Sequence, residues 1–274
     1  MTALALNTDV GEGFGVWGPA DEGELLDQVT AANVACGFHA GDPDILRRTC
    51  EASTARGVAI GAQVSYRDLA GFGRRFIDVP SATLVNELLY QMGALEVFAR
   101  LAGGRVGYVK AHGALYNAAA RHTGHAAAIV EAVALYDRAL PLLCQPRTAV
   151  WERAVAAGVR PLAEGFIDRG YTDEGLLVPR SAPGALVTDP AEAAERALRM
   201  AESGTVVSVS GGVVRIAPDG GELAALCVHS DTPGAAGLAA AVREALASGG
   251  VAVGPPGATA GPPGAAADRV GARP

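Results

Sequence analysis

The sequence predicts an α/β fold built on a parallel sheet, and two observations support this prediction. Short apolar runs alternate with longer segments of helical periodicity along most of the 274 residues, and such alternation is typical of βαβ units. Half of the residues are hydrophobic, which is enough for one large packed core. The strand count of about seven fits a closed barrel and an open doubly wound sheet equally well. The alternation therefore leaves both architectures open.

The predicted elements follow one another in a regular order. The strands are short apolar runs at residues 3–7, 34–36, 58–63, 106–110, 140–144, 160–166 and 226–229. The helices have apolar residues at helical spacing, and they cover residues 21–32, 43–56, 81–101, 122–135, 149–157, 191–203 and 233–246. Asp21, Asp42 and Ser81 are the expected N-caps, because short polar side chains accept hydrogen bonds from free backbone N–H groups. Residues 206–209 and 213–216 flank Ser-Gly-Gly, which indicates a hairpin.

A single domain is predicted for residues 1–248. From residue 249 the composition changes to Gly, Pro and Ala. Because such a segment cannot bury a core, we expect residues 249–274 to be a disordered tail.

Charge and cysteine usage exclude several classes of protein. The net charge of −7 argues against partners such as nucleic acids and anionic membranes, which require concentrated positive charge. No apolar run approaches the roughly 20 residues that span a bilayer, and the N-terminus lacks the features of a signal peptide. The four cysteines show no CxxC spacing. We therefore expect a reduced, cytoplasmic protein.

Polar residues follow many of the predicted strands, at the positions where parallel α/β proteins place their active sites. These candidates are Asn7, Asp9, Glu12, His39, Asp42, Gln63, Lys110, His112, Asp168, Arg169, His229 and Asp231. Lys110 is conspicuous because it is the single lysine in a chain with 21 arginines. The sequence contains no nucleotide-binding glycine loop, no nucleophile elbow and no HExxH motif.

Most of these candidates also have a purely structural explanation. Asp9 and Glu12 can shape a glycine-rich turn, Asp42 can cap a helix, and arginines such as Arg169 can form surface ion pairs. Taken together, however, the set suits acyl or amide chemistry. Carboxylates can activate water, an ammonium can stabilise an oxyanion, and imidazoles can transfer protons near neutral pH. Asp and His side chains can also hold a divalent metal.

Seven segments of the chain resemble, in order, the motifs of the LamB/YcsF family. These segments are LNTDVGEGFGVW, TAANVACGFHAGDP, GFGRR, YQMGALEVFAR, VKAHGALYN, DRGYTDEGLLVPRSAPGA and CVHSDTPGA. The similarity runs from residue 4 to residue 246 and leaves out only the ends of the chain.

The resemblance implies a fold, a reaction and partners. The implied fold is a seven-stranded parallel (β/α) barrel similar to that of polysaccharide deacetylases. The implied reaction is the ATP-dependent opening of the cyclic amide 5-oxoproline to L-glutamate. In such a system partner subunits B and C use ATP to phosphorylate the lactam oxygen, and the A-type subunit carries out the hydrolysis. The sequence leaves the oligomeric state open, including a homo-oligomer.

The resemblance also implies roles for individual side chains. The implied catalytic residues are Asp9, Glu12, Lys110, His112 and Asp168. The implied substrate-binding residues are Asn7, His39, Gln63, Arg169, Arg180, Ser181 and His229. A divalent metal, if the protein uses one, is expected on Asp9, His39 and His112.

The sequence departs from the family pattern at several of these motifs. Gln63 replaces a histidine, Ser65 replaces a glycine, Ala182 replaces a glutamine, and Ser230 replaces a glycine. Val64 and Ala111 each replace a proline. Two alternatives to the main hypothesis follow. One is a paralogue recruited to specialised metabolism, with a different hydrolase, lyase or cyclase reaction, and the other is a non-catalytic subunit.

Overall fold

Seven parallel strands close into a barrel in the computed structural model, which describes residues 3–18 and 22–258. The first six strands are β1 (Ala5–Val10), β2 (Ala31–Ala35), β3 (Ala59–Val64), β4 (Val106–Ala111), β5 (Leu142–Cys144) and β6 (Pro161–Phe166). A separate antiparallel hairpin of β7 (Thr205–Val207) and β8 (Val213–Arg215) precedes the last barrel strand, β9 (Ala225–Val228). Because β9 pairs with both β6 and β1, the sheet has no free edge. The predicted barrel is confirmed, and the open sheet is excluded.

The helices that connect the strands cover the outside of the barrel. They are α1 (Gly23–Leu26), α2 (Pro43–Ala55), α3 (Ser81–Leu101), α4 (Gly113–Ala119), α5 (Thr123–Asp137), α6 (Ala149–Ala157), α7 (Pro190–Ser203) and α8 (Ala235–Ser248). The bounds of α3 and α6 coincide with the prediction. Asp42 caps α2 as expected, because its side chain accepts a hydrogen bond from the backbone N–H of Ile45.

The largest error of the sequence prediction lies in residues 21–32, which were expected to form one helix. Helix α1 ends at Leu26, and Ala31–Ala35 forms the fully buried strand β2. Alanine favours a helix locally, but pairing with β1 and β3 outweighs that preference here. The expected N-cap Asp21 lies outside the described residues.

Two further differences concern helix starts. Ser81 is the first residue of α3 rather than its N-cap, which is Pro80, and the Ser81 hydroxyl donates to the carbonyl of Gly124. The short helix α4 directly follows β4 and was not predicted. Only one residue, His112, separates the strand from the helix. The sequence therefore has no loop segment that would mark the boundary between them.

The side chains inside the barrel form layers, because alternate residues of a strand point to the same side. The lowest layer is mainly apolar and consists of Ala5, Ala31, Tyr108, Leu143 and Ala225. Two residues further along the strands, a polar layer contains Asn7, Asn33, Lys110, Glu164 and Cys227. The carboxyl ends of the strands lie above this layer. The barrel therefore supports the strand-end residues from below with buried polar groups.

The structured domain extends beyond the predicted boundary at residue 248. Residues 251–258 lie against the N-terminal end of β1, and Leu4 exchanges hydrogen bonds with Ala252 and Gly254. The predicted disordered tail is therefore wrong for these residues, because backbone pairing orders them without a core of their own. Residues 259–274 lie outside the described part of the chain. Among the described helices, none combines the length and the apolar character needed to cross a membrane.

Candidate active site

A cavity of about 560 Å³ opens at the carboxyl ends of the barrel strands. Its lining includes Asp9, Arg74, Lys110, His112, Phe166, Arg169, Arg180 and His229. Several strand-end residues that the sequence singled out therefore meet at one cavity. Ser181 does not belong to this group, because it is exposed and lies outside the cavity lining.

Lys110 lies at the floor of the cavity with its ammonium directed into the barrel. Its three N–H groups are used within the protein, by Glu164 at 2.7 Å, Asn7 at 3.1 Å and the Cys227 sulfur at 3.1 Å. Burial would lower the pKa of Lys110, but the carboxylates of Glu164 and Asp9 hold it well above its ordinary value. The predicted role as a donor to a substrate oxyanion is therefore disfavoured. The charge of Lys110 acts on Asp9 instead.

Asp9 is held as a carboxylate at the end of β1. Its Oδ1 accepts a hydrogen bond from Asn33 at 2.8 Å and lies 3.7 Å from the Lys110 ammonium. Burial would raise its pKa, but Lys110 and His112 outweigh that effect, so the pKa lies well below its usual range. Asn7 is fully buried beneath Asp9 and bonds Asn33 and Lys110. Asn7 thus supports the site from below, and the predicted contact with substrate is not available to it.

Two stacked imidazoles and one carboxyl group form a buried cluster beside Asp9. The rings of His39 and His112 are 3.9 Å apart, and Glu12 Oε1 lies 3.3 Å from a nitrogen of each ring. Burial raises the pKa of Glu12 to about 7 and lowers that of His39 to about 4. Burial and the His39 ring also lower the pKa of His112. Near neutral pH the two imidazoles are neutral, and Glu12 can take up or release a proton.

Gln63 orients His112 and lies outside the lining of the cavity. It is fully buried, and its amide nitrogen is 3.0 Å from His112 Nδ1. His112 Nε2 donates to the carbonyl of Phe72 at 3.0 Å, so in the neutral ring Nδ1 is the acceptor. Gln63 thus has no contact with the cavity and helps to select the tautomer of His112, and its predicted substrate-binding role stays a prediction. His39 is likewise fully buried beside Glu12 and has no exposed surface for substrate.

Asp168 and His229 form an acid–imidazole pair just beyond the ends of the neighbouring strands β6 and β9. His229 Nδ1 lies 2.9 Å from Asp168 Oδ2, which also accepts hydrogen bonds from the His229 backbone N–H and the Thr232 hydroxyl. Burial would raise the pKa of Asp168, but His229 and these hydrogen bonds keep it below its usual value. The His229 ring stacks on Phe166 and lines the cavity. His229 is thus the candidate proton acceptor, and Asp168 positions it, as in other orienting carboxylate–histidine pairs.

Arg169 is a buried cation without a carboxylate partner among the described residues. Its guanidinium donates to the backbone carbonyls of Ala185 at 3.1 Å and Val178 at 2.6 Å. Burial and the charge of Arg180 lower its pKa. A buried cation without a counter-ion is costly, and this one lines the cavity. Arg169 is therefore suited to hold an anionic group of a ligand.

Sequence reasoning missed several residues that support the site, four of them on barrel strands and two in the loop between β3 and α3. They are Asn33, Phe72, Arg74, Tyr108, Glu164 and Cys227. Glu164 could have been found from the period-two alternation of β6, because it shares the inward face with Phe166 at the end of the strand. Sequence gives no comparable signal for Phe72, whose carbonyl group orients His112.

The side chains of Glu12, His39 and His112 are close enough together to be tested as ligands of one metal ion. One donor atom of each lies within 4.8 Å of the others, and a carboxylate with two imidazoles is a donor set typical of zinc. The predicted set had Asp9 in place of Glu12, but Asp9 is bonded to Asn33 and lies 3.8 Å from His112 Nδ1. Both His112 nitrogens are already engaged, by Gln63 and Phe72. The arrangement therefore does not fit a metal without displacement of the Gln63 amide, and we derive no step through one.

Comparison with known proteins places the chain in a family. The model of the LamB/YcsF family matches residues 4–260. The A subunit of 5-oxoprolinase from Kocuria rhizophila is 52% identical over 253 residues, covering 92% of this chain and 98% of the relative. The corresponding protein of Streptomyces coelicolor is 54% identical over 251 residues, with the same coverage. The crystal structure of a lactam utilization protein from Thermus thermophilus is 42% identical, with a TM-score of 0.85, and covers 92% of this chain and 99% of that chain. The chain belongs to the LamB/YcsF family, as its motifs predicted.

Proposed function

We propose that this protein is the hydrolytic A-type subunit of a 5-oxoprolinase, which opens the lactam ring of 5-oxoproline to give L-glutamate. In this proposal, partner subunits B and C use ATP to activate the lactam oxygen by phosphorylation. The relatives support this assignment, because they are named as A subunits of 5-oxoprolinase and as a lactam utilization protein. High identity over nearly the full length favours it over a recruited paralogue or a non-catalytic subunit.

The observation that carries the proposal is the convergence on one cavity of an unpaired cation, Arg169, and the imidazole of His229, which Asp168 orients. Arg169 binds the carboxylate of the substrate, because a guanidinium fork matches a carboxylate in geometry and charge. This contact directs the lactam carbon toward the wall that holds His229 and Asp168. The charged group of the substrate thus balances a buried charge of the protein.

His229 accepts a proton from the attacking water. Asp168 holds Nδ1 of the ring, and no described residue bonds Nε2, which is left to accept a proton in the cavity. The water oxygen bonds to the lactam carbon, and the proton moves to His229. The imidazolium that forms is stabilised by the Asp168 carboxylate.

When the carbon–nitrogen bond of the adduct breaks, the ring nitrogen takes up a proton that comes from Glu12, which lies behind the cavity wall, 3.3 Å from Nδ1 of the lining residue His112. The opened chain then carries the phosphoryl group on its new carboxyl group, and a second water hydrolyses this acyl phosphate to L-glutamate and inorganic phosphate. The raised pKa of Glu12, about 7, keeps a large fraction of its side chain protonated near neutral pH. Ser230 donates a hydrogen bond to Glu12 Oε2 at 3.4 Å and ties the acid to the loop that carries His229. Asp9 stays ionised beside the cluster and keeps the local potential negative.

The test is glutamate formation from 5-oxoproline and ATP by the purified protein together with subunits B and C. We expect wild-type turnover, a loss of about 10²–10⁴-fold in kcat for His229→Ala, and a large rise in KM for Arg169→Gln. His122→Asn is the matched control, because His122 is exposed and caps α5, a position where Asn is favourable. No glutamate from the wild-type mixture would refute the substrate, and full activity of His229→Ala would refute the assigned base.

A further inference from the structure

Arg74, Asp231 and Arg180 form a bridge of charges at the rim of the cavity. Asp231 accepts two hydrogen bonds from Arg180, both at 3.1 Å, and one from Arg74 at 2.5 Å. The three residues come from three different loops, which follow β3, β9 and β6 respectively. Each side chain is about one quarter to one third exposed. Both arginines line the cavity.

The charges at this rim do not balance within the protein. Arg74 and Arg180 both line the cavity, and among the described residues Asp231 is the one carboxylate that pairs with either of them. Burial would raise the pKa of Asp231, but the bond from Arg74 and the charge of Arg180 keep it low, so it is an anion. The pair therefore has one positive charge in excess, and it presents two positive charges once Asp231 moves away, which a doubly charged oxyanion would neutralise.

Arg74 is held in place independently of Asp231. Its guanidinium lies over the ring of Phe72, with 4.9 Å between Cζ and the ring centre. Phe72 itself has a positive φ of 54° and bonds His112 through its carbonyl. The arginine end of the bridge is thus fixed to the catalytic cluster, whereas Asp231 is a short, partly exposed side chain on a loop.

We propose that Arg74 and Arg180 form a binding site for a phosphoryl group, and that Asp231 is the internal anion which this group displaces. A guanidinium binds carboxylate and phosphate oxygens with the same planar fork, so the Asp231 contacts outline a site for either anion. The two positive charges that Asp231 leaves behind favour the doubly charged phosphoryl group. The inference rests on the proposed function in one respect, namely that the substrate reaches this protein in phosphorylated form.

Asp231 then makes the site selective for doubly charged anions. A singly charged anion gains too little to displace an aspartate that makes three charge-assisted hydrogen bonds, whereas a phosphoryl group can engage both guanidinium groups at once. The exchange also keeps the two arginines from being left facing each other without a counter-ion. The simpler alternative is that the bridge only ties three loops together, and binding measurements distinguish the two.

The experiment measures the binding of inorganic phosphate and of acetate by isothermal titration calorimetry. It compares the wild-type protein with Asp231→Asn, with Asp231→Ser, and with Arg180→Gln in the Asp231→Asn background. We expect Asp231→Asn and Asp231→Ser to bind phosphate at least about tenfold more tightly than the wild type, with a smaller gain for acetate. Adding Arg180→Gln should abolish the gain. The matched control is Asp27→Asn, which removes the carboxylate partner of Arg56 at the end of α1, outside the cavity lining.

Three results would overturn the inference. Unchanged phosphate affinity in both Asp231 variants, with thermal unfolding showing that they are folded, would leave only the loop-tying role. An equal gain for Asp27→Asn would indicate a general charge effect, and an equal gain for acetate would refute the phosphoryl group. None of these measurements needs turnover, so an inactive wild-type mixture would count against the proposed function and not against this site.

Discussion

Glu12 shows how its surroundings set the chemistry of a single side chain. The same residue type is an ordinary exposed acid elsewhere in the chain, but here burial outweighs the attraction of nearby histidines and raises the pKa to about 7. Asp9, three positions earlier, is equally buried yet stays ionised, because Lys110 and His112 stabilise its charge. Two neighbouring carboxyl groups thus differ in protonation, which is how one site can hold both an anion and a proton donor.

The raised pKa of Glu12 makes protein stability depend on pH in a defined direction. The folded state favours the protonated acid, so the contribution of Glu12 is fully present below pH 4.5 and is lost as the pH rises through about 7. We therefore expect Glu12→Gln, which is neutral at every pH, to gain stability relative to the wild type as the pH rises from 4.5 to 7. Urea unfolding at pH 5 and pH 8 measures this difference. A constant difference between the two proteins would show that Glu12 is not buried in this way.

Strands β3 and β4 pack closely because residue 61 of β3 is a glycine and has no side chain. Tyr108 of β4 crosses the barrel interior above Gly61 of β3, and its hydroxyl donates to Asn33 at 2.7 Å. A Cβ at residue 61 would lie 2.1 Å from the ring carbon that bears the hydroxyl group. The glycine is therefore needed for close approach, and it permits the hydrogen bond that holds Asn33 against Asp9.

Gly61→Ala is expected to destabilise the protein by about 3 kcal/mol or more, because the tyrosine must move and lose its buried hydrogen bond. The matched control is Gly107→Ala on β4, where the nearest atom to the new Cβ is the Ile60 carbonyl oxygen at 3.6 Å. That control should change the free energy of unfolding by less than about 1 kcal/mol. Chemical denaturation of both variants checks the prediction, and equal losses would show that the site at residue 61 adapts to a side chain.

The two ends of the described chain pair with each other at the base of the barrel, opposite the cavity. Val251 and Val253 pack against the core, and the backbone of residues 252–258 pairs with residues 3–4. Thr30, between α1 and β2, also donates to the Gly254 carbonyl at 2.8 Å. The last described residues thus hold the start of β1, whose other end carries Asp9. Closure of the barrel and geometry of the site are connected through this one strand.

Removal of this C-terminal segment is expected to destabilise the whole domain. A chain that ends at Gly250 should be less stable than a chain that ends at Ala258 by about 2 kcal/mol or more, because it exposes two valines and unpairs the backbone of Leu4. The longer truncation product is the matched control, since both lack residues 259–274. Thermal unfolding of the two proteins measures the difference, and equal midpoints would show that residues 251–258 add nothing to the fold.

Local sequence patterns were sufficient for most elements of this protein. The limits of α3 and α6, the Asp42 cap and the order of strands and helices all follow from periodicity and capping within a few residues of chain. Strand β2 was misplaced because its alanines favour a helix until two neighbouring strands pair with them. The strand pattern also gave the strand-end residues, several of which meet at the cavity, and the family motifs added the closed barrel.

Tertiary structure alone decided what those residues do. Lys110 meets Glu164 and Cys227 across 54 and 117 residues of chain, and these contacts direct its ammonium inward rather than to a ligand. Gln63 proved to orient His112, and Asp168 to orient His229, because the partner of each lies 49 or 61 residues away. Residue type and strand-end position follow from neighbours along the chain. Protonation, orientation and free hydrogen-bonding groups depend on neighbours in space, which only closure of the barrel supplies.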